Sequence, residues 1–242
     1  MAFENIVETQ DGSLTIRDPI SGECYHSIEG ALLESFELYI QRSGICEKLS
    51  EKDSLTVLDV GLGLGYNALS TISAWMARGE CDLTLLSLEK EAGLVDLLAR
   101  GQAAWQSRWP KSWVDWCLKL EPEFNPDLDQ DRISSKFKMK LIHPKTNSAL
   151  TWTILIGDAS KLNYLSYTFD YFWQDPFSPE KNPDMWSSDW FTFLRRQSNP
   201  NAVLMTYSVA RKTKDALDSG GFHVERMKTP TQKKHWLKGT AR

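Results

Sequence analysis

The run Leu58-Asp59-Val60-Gly61-Leu62-Gly63-Leu64-Gly65 constrains the fold more than any other stretch of this chain. Together with Leu55-Thr56-Val57 before it, it reads as a short, apolar strand of the kind buried in parallel sheets, running into a glycine-rich turn. Glycine has no Cβ and accepts positive φ, so such a turn lets backbone approach a ligand closely and delivers a helix N-terminus beside it. A helix is predicted from Asn67 to about Ala77, a second strand over Leu83–Leu88 ending at Glu89, and a helix from Ala92 to about Trp105. Strand, helix, strand is a βαβ unit, right-handed almost without exception. The expected fold is therefore α/β and Rossmann-like: a mostly parallel sheet with helices on both faces.

The rhythm continues with strands over Leu150–Ile156, stopping at Gly157-Asp158, and Phe169–Gln174, stopping at Asp175. A proline-rich loop from Pro176 to Met185 leads to a helix over about Ser187–Gln197. Ala202–Tyr207 reads as a strand, Val209–Ser219 as a helix closed by Gly220-Gly221, and Phe222–Met227 with Lys234–Leu237 as a terminal antiparallel pair. At 242 residues and 41% hydrophobic positions the chain is expected to form a single domain over 1–242. Two departures from the repeat are predicted. One is an N-terminal extension over about 1–50, with a hairpin turning at Asp18–Gly22 and a helix from Glu29 to Arg42 whose apolar face carries Ala31, Leu32, Phe36, Tyr39 and Ile40. The other is an insertion over about 106–150, holding Trp109, Trp113, Trp116, prolines at 110, 122 and 126, and a hairpin turning at Pro144–Asn147. The three tryptophans are expected to be packing residues, with stacking on an unpaired base as the alternative.

Composition excludes several classes. No apolar run approaches the roughly 20 residues a membrane span needs, and the polar start lacks signal-peptide character, so a cytoplasmic location without membrane contact is expected. The four cysteines (24, 46, 81, 117) and four histidines (26, 143, 223, 235) are scattered without ligand-like spacing, so neither disulfide framework nor metal site is expected. Charge is uneven: residues 195–242 hold 11 Lys/Arg against 3 Asp/Glu, while residues 1–194 hold 17 against 29. A basic end of this kind suits an anionic partner.

In a doubly wound sheet the ligand crevice lies at the carboxyl ends of the strands. The residues there are Gly61, Glu89, Asp158 and Asp175. A dinucleotide would want G-x-G-x-x-G, but the third position of that pattern is Tyr66. Glu89 is placed to accept hydrogen bonds from both ribose hydroxyls of an adenosyl group, and Asp158 to lie near its adenine. Asp175-Pro176-Phe177 is partly similar to the Asp/Asn-Pro-Pro-aromatic motif of enzymes that methylate amino groups on nucleic-acid bases. Methyl transfer to nitrogen needs a free lone pair, and a carboxylate beside the reacting centre takes the proton that would block it. The combination predicts a class I S-adenosyl-L-methionine-dependent N-methyltransferase, with Asp175 catalytic.

One longer string is more specific than the glycine turn. Gln174-Asp175-Pro176-Phe177-Ser178-Pro179-Glu180-Lys181-Asn182-Pro183-Asp184-Met185-Trp186 resembles the Leu-Asp-Gly-Phe-Ala-Pro-x-Lys-Asn-Pro-Asp-Met-Trp signature of a bacterial family. That family is the methyltransferase domain of the bifunctional enzymes completing 5-methylaminomethyl-2-thiouridine at the tRNA wobble position (MnmC type). Cys24-Tyr25-His26-Ser27, Gly30–Ser35, Leu88-Glu89-Lys90 and Ile156-Gly157-Asp158 extend the likeness over most of residues 14–225. The resemblance implies conversion of 5-aminomethyl-(2-thio)uridine to its methylamino form, a tRNA modification. It implies that Tyr25, Glu34, Gly61, Gly63, Gly65, Asn67, Glu89, Lys90, Asp158 and Asp175 surround the cofactor, and that Phe177, Lys181 and Asn182 meet the substrate. Pro176 stands where the family has glycine. The FAD-dependent oxidoreductase domain common in the family finds no room in 242 residues, so a separate oxidoreductase acting upstream is expected as a partner. The tRNA is expected on the basic C-terminal segment, at Arg195, Arg196, Arg211, Lys212, Lys214, Lys233 and Lys234. Two other readings stay open: a methyl- or aminopropyltransferase acting on a small amine in the manner of spermidine synthase, and a non-catalytic binding module.

Overall fold

The structure is a computed structural model describing residues 5–123, 133–162, 165–229 and 235–242. Pro126, Lys233 and Lys234 lie outside the described residues. Two short strands, β1 (Ile6–Glu8) and β2 (Leu14–Ile16), pair antiparallel in a sheet of their own. The hairpin predicted to turn at Asp18–Gly22 is present only as a turn with a single bridge between Arg17 and Cys24; the true strand pair lies one turn earlier. Helix α1 (Ala31–Glu34) runs without a break into a π-helical segment, Ser35–Gln41, which buries Leu38, Tyr39 and Ile40. Short α2 (Ile45–Glu51) then leads into the main sheet through β3 (Ser54–Val60).

From there come α3 (Tyr66–Arg78), β4 (Asp82–Glu89) and α4 (Ala92–Arg100). Helix α4 stops five residues before the predicted end. Gly101 takes φ +64 and donates its N–H to the Leu98 carbonyl, the left-handed glycine stop that closes many helices. The insertion folds as α5 (Lys111–Cys117), β5 (Glu121–Pro122) and β6 (Ile133–Ile142), the last forming the predicted hairpin with β7 (Ala149–Gly157). Next come β8 (Phe169–Gln174), α6 (Ser188–Arg196), β9 (Ser198–Thr206), α7 (Arg211–Ser219), β10 (Phe222–Lys228) and β11 (His235–Ala241).

Nine strands form one sheet in the order β10-β11-β9-β8-β3-β4-β7-β6-β5. The central five, β9, β8, β3, β4 and β7, are parallel, and antiparallel strands extend both edges. Strand β8 is buried at all six positions, as its aromatic residues require of a strand covered on both faces, and its two polar residues are paired, Asp170 with Thr56 and Gln174 with Trp190. One face packs Trp75, Trp105, Trp152 and Trp173; the other packs Phe172, Phe191 and Phe222 beneath α6 and α7. Of the insertion's tryptophans, Trp109 and Trp113 are buried and meet Tyr66 edge-on at 5.5 and 6.0 Å, so they are packing residues. Truncating a residue such as Trp105 would cost about 3–5 kcal/mol. No helix among the described residues is long and apolar enough to cross a membrane.

Candidate active site

Strands β3, β4, β7 and β8 all end at one edge of the sheet, and a crevice of about 1360 Å³ opens there. Its floor is the turn after β3. Gly61 takes φ +83, and a Cβ there would stand 3.0 Å from the Asp175 carbonyl oxygen and 3.1 Å from Pro176 Cα. Gly63 takes φ +52 and would meet Tyr25 at 3.1 Å. Both positions need the missing side chain for backbone conformation and for close approach. Gly61→Ala is therefore expected to cost about 1–2 kcal/mol in left-handed strain and to push the Asp175 loop outward. Thermal denaturation with and without cofactor checks this: the loss should be larger in the cofactor-bound protein.

Glu89 ends β4 and is buried, 8% exposed. Its Oε1 accepts the N–H groups of Lys90 (2.7 Å) and Glu91 (2.9 Å), and its Oε2 accepts that of Gly63 (2.7 Å). Burial raises its pKa, against the pull of those three donors. An ionised carboxylate has about four lone-pair sites, so acceptor capacity remains toward the crevice, as an adenosyl ribose needs. The Gly63 amide, which in a dinucleotide site would serve a phosphate, is committed to this carboxylate. Asp158 follows β7 at the crevice wall; its Oδ1 caps the following turn through the Ser160 hydroxyl (2.7 Å), the main cause of its lowered pKa, with the Ser160 N–H (3.2 Å) adding to it.

Asp175, just past β8, is half-buried and accepts a 2.6 Å hydrogen bond from Asn67 Nδ2. Burial, reinforced by the charge of Glu34, pushes its pKa up to about 8. Tyr39, carried there by the π-helical segment, lies close enough for its phenol to feel that charge, yet its hydroxyl makes no hydrogen bond of ordinary geometry. Asn67 Oδ1 is likewise buried without a partner. Behind the site, Asp59 in β3 accepts only from Ser87 Oγ (2.8 Å), and burial raises its pKa to about 7.

The loop after Asp175 is held from three directions. Tyr207, just past β9, donates to the Pro176 carbonyl (2.9 Å), and Trp186 Nε1 donates to that of Phe177 (2.8 Å). The Ser178 N–H (3.0 Å) and hydroxyl (2.5 Å) both donate to Glu23. Glu23 belongs to the N-terminal turn, which also brings the Tyr25 ring to 4.9 Å from Phe177. The N-terminal extension thus forms one wall of the crevice.

Of the residues expected around a cofactor, Tyr25, Glu34, Gly61, Gly63, Glu89 and Lys90 line this space, joined by Asp158 and Asp175. Phe177, Lys181 and Asn182 line it as well. Gly65 and Asn67 do not. A Cβ at Gly65 would face Leu98 and Leu69, and Asn67 reaches the crevice only through Asp175. Glu23, Tyr39, Asp59, Trp186 and Tyr207 escaped notice as site residues. Trp186 lies within the Gln174–Trp186 string and Asp59 within the Leu58–Gly65 run; Glu23, Tyr39 and Tyr207 are brought in by long-range contacts.

The basic C-terminal residues do not form one surface. Arg195 and Arg196 end α6, which runs back across the sheet, so they lie at the rim opposite the crevice, where Arg195 packs against Gly221. Arg211, Lys212 and Lys214 open α7 just beyond the crevice end of β9, and Lys228 ends β10 at the same rim, opposite His235. The crevice itself is acidic, lined by eight Asp/Glu and four Lys/Arg.

The acidic lining of the crevice suits an adenosyl group carrying positive charge, and comparisons with known proteins support the same cofactor. The family described as S-adenosyl-L-methionine-dependent methyltransferase matches residues 123–242. The tRNA 5-methylaminomethyl-2-thiouridine biosynthesis bifunctional protein MnmC of Burkholderia thailandensis is 30% identical over 97% of the chain, and that of Thiobacillus denitrificans 29% identical over 89%. The chain spans about a third of the length of these relatives, 34% and 33%. The crystal structure of MNMC2 from Aquifex aeolicus superposes with a TM-score of 0.77 at 25% identity, covering 98% of this chain and 70% of that one. On fold, crevice and likeness together, the chain belongs to the S-adenosyl-L-methionine-dependent methyltransferases of MnmC type.

Proposed function

We propose that the protein methylates the primary amine of 5-aminomethyl-(2-thio)uridine at the tRNA wobble position. The observation that carries the reading is Asp175: a half-buried carboxyl group lining an acidic crevice, beside the glycine turn. Acidic walls suit a cationic amine and a sulfonium, and repel pyrophosphate. The sequence likeness to proteins named for 5-methylaminomethyl-2-thiouridine in tRNA supports this choice of substrate.

The residues divide the work as follows. Glu89 and the turn hold the adenosyl part, and Asp158 closes its adenine side. The bound cofactor supplies an electrophilic methyl on sulfur; as the nitrogen lone pair forms the new N–C bond, the S–C pair stays on sulfur. Asp175, ionised once cations occupy the site, takes the proton the ammonium must shed and passes it to solvent. Tyr207, Trp186 and Glu23 keep its loop from shifting. Phe177 and Tyr25 offer aromatic surface to the base, and Lys181 and Asn182 face the substrate from the same loop.

Nucleoside mass spectrometry of aminomethyluridine tRNA incubated with protein and S-adenosylmethionine tests this directly; unchanged tRNA overturns it. On this reading the RNA backbone meets only the crevice rim. Arg211→Glu with Lys212→Glu is expected to lower kcat/KM for tRNA by about 10-fold or more and to flatten its salt dependence, while Arg195→Glu with Arg196→Glu leaves both unchanged. The acidity of the crevice also favours a second reading, transfer to a free polyamine. Methylation of spermidine or putrescine in place of tRNA would establish it.

A further inference from the structure

We propose that Glu34 seats the substrate's ammonium group opposite Asp175, as an amine-positioning residue and not a cofactor ligand; the assignment rests on the amine-methylating function above.

Glu34 is the last residue of α1 and lines the crevice that Asp175 closes from β8, near enough for its charge to bear on that carboxyl. Two carboxyl groups converging in a half-buried space repel one another, an arrangement that a cation relieves. A second observation points the same way: Tyr25 and Phe177 bring their rings to the same crevice, 4.9 Å apart, and aromatic faces favour a cation.

The chemistry needs a second acceptor. A primary ammonium carries three N–H donors. One proton leaves, and the remaining two N–H groups must be held so that the lone pair points along the line of transfer. Asp175 serves one of these directions. Glu34, reaching from a different element, serves the other and supplies the countercharge that draws the ammonium in. A neutral hydroxyl in place of the amine brings one donor and no charge, so the same seat discriminates against it.

Glu34 Oε2 also accepts the Ser27 N–H at 3.1 Å, a purely structural duty. Glu34→Gln keeps that acceptor and removes only the charge, which separates the two roles. With aminomethyluridine tRNA as substrate, Glu34→Gln is expected to lower kcat/KM by about 10²-fold, largely through KM. Calorimetric binding of S-adenosylmethionine should stay within a factor of about two. The acidic limb of the kcat/KM profile should move to lower pH, because the repulsion on Asp175 is gone while its other titratable neighbours, Tyr39, Asp59 and Tyr207, remain. Cofactor binding weakened as much as turnover would make Glu34 a cofactor ligand and overturn the assignment. So would a wild-type rate in Glu34→Gln beside a loss in Glu34→Ala, which would leave only the Ser27 contact. If the wild-type protein leaves the tRNA unmethylated, the functional reading itself has failed and the assignment falls with it.

Discussion

Asp175→Asn is expected to lower kcat by about 10²–10⁴-fold, the range for loss of a positioned general base, while S-adenosylmethionine still binds within a few-fold of wild type. The substitution keeps side-chain volume and a hydrogen-bonding partner for Asn67, so the effect isolates proton acceptance. In the free protein the carboxyl group, at about 8, is mostly neutral at pH 7. The wild-type kcat/KM profile should therefore climb through that region, and the residual activity of Asp175→Asn should lack this limb. A variant retaining a kcat within about five-fold of wild type would remove Asp175 from the chemistry. The crevice would then methylate amines that arrive already neutral.

The second large effect concerns stability. Asp59 is fully buried with one hydrogen bond, and its pKa in the folded protein, about 7, lies above its usual value of 3.8. Between these values the folded state binds more protons than the unfolded one, so the derivative of unfolding free energy with pH is negative. Stability from this group is full below about pH 4, falls as pH rises, and levels off above pH 7. A shift of about three units corresponds to about 4 kcal/mol as an upper bound, at roughly 1.4 kcal/mol per unit. Asp59→Asn mimics the neutral form and should abolish this slope. Its melting temperature relative to wild type should rise between pH 5 and pH 8 by several degrees, given about 2–4 °C per kcal/mol for a chain of this size. Comparing the two pH values removes any packing cost of the amide itself. A difference that is the same at pH 5 and pH 8 would show that Asp59 does not titrate in this window. Asp175 contributes a slope of the same sign, extending to about pH 8.

Much of the architecture was legible in the sequence because its signals are local. Apolar runs, β-branched in β3 and β7, leucine-rich in β4 and aromatic in β8, marked the central strands, and the residue at or just past the end of each strand is a part of the crevice. The glycine turn announced close backbone approach, and Gly61 and Gly63 adopt the positive φ that such a turn demands. Helix α4 ends short of its apolar periodicity because Gly101 is a local stop. The β1 and β2 pair was missed because three-residue strands leave no periodicity to detect.

What the sequence determined by itself was the order of the elements, the cofactor turn and the identity of the acids at the strand ends, since each follows from residues adjacent in the chain. Tertiary structure alone decided the environment of those acids. Tyr39, read as one more apolar-face residue, comes near Asp175 only because the π-helical segment packs against α3 and β9, and Asn67 reaches it across 108 positions of sequence. Glu23 clamps Ser178 over an even longer separation. The basic tail, continuous in sequence, is divided between two rims because α6 and β11 each traverse the sheet. Protonation state, loop position and the surface offered to RNA depend on burial and on charges brought together by folding. No pattern of neighbours along the chain encodes them.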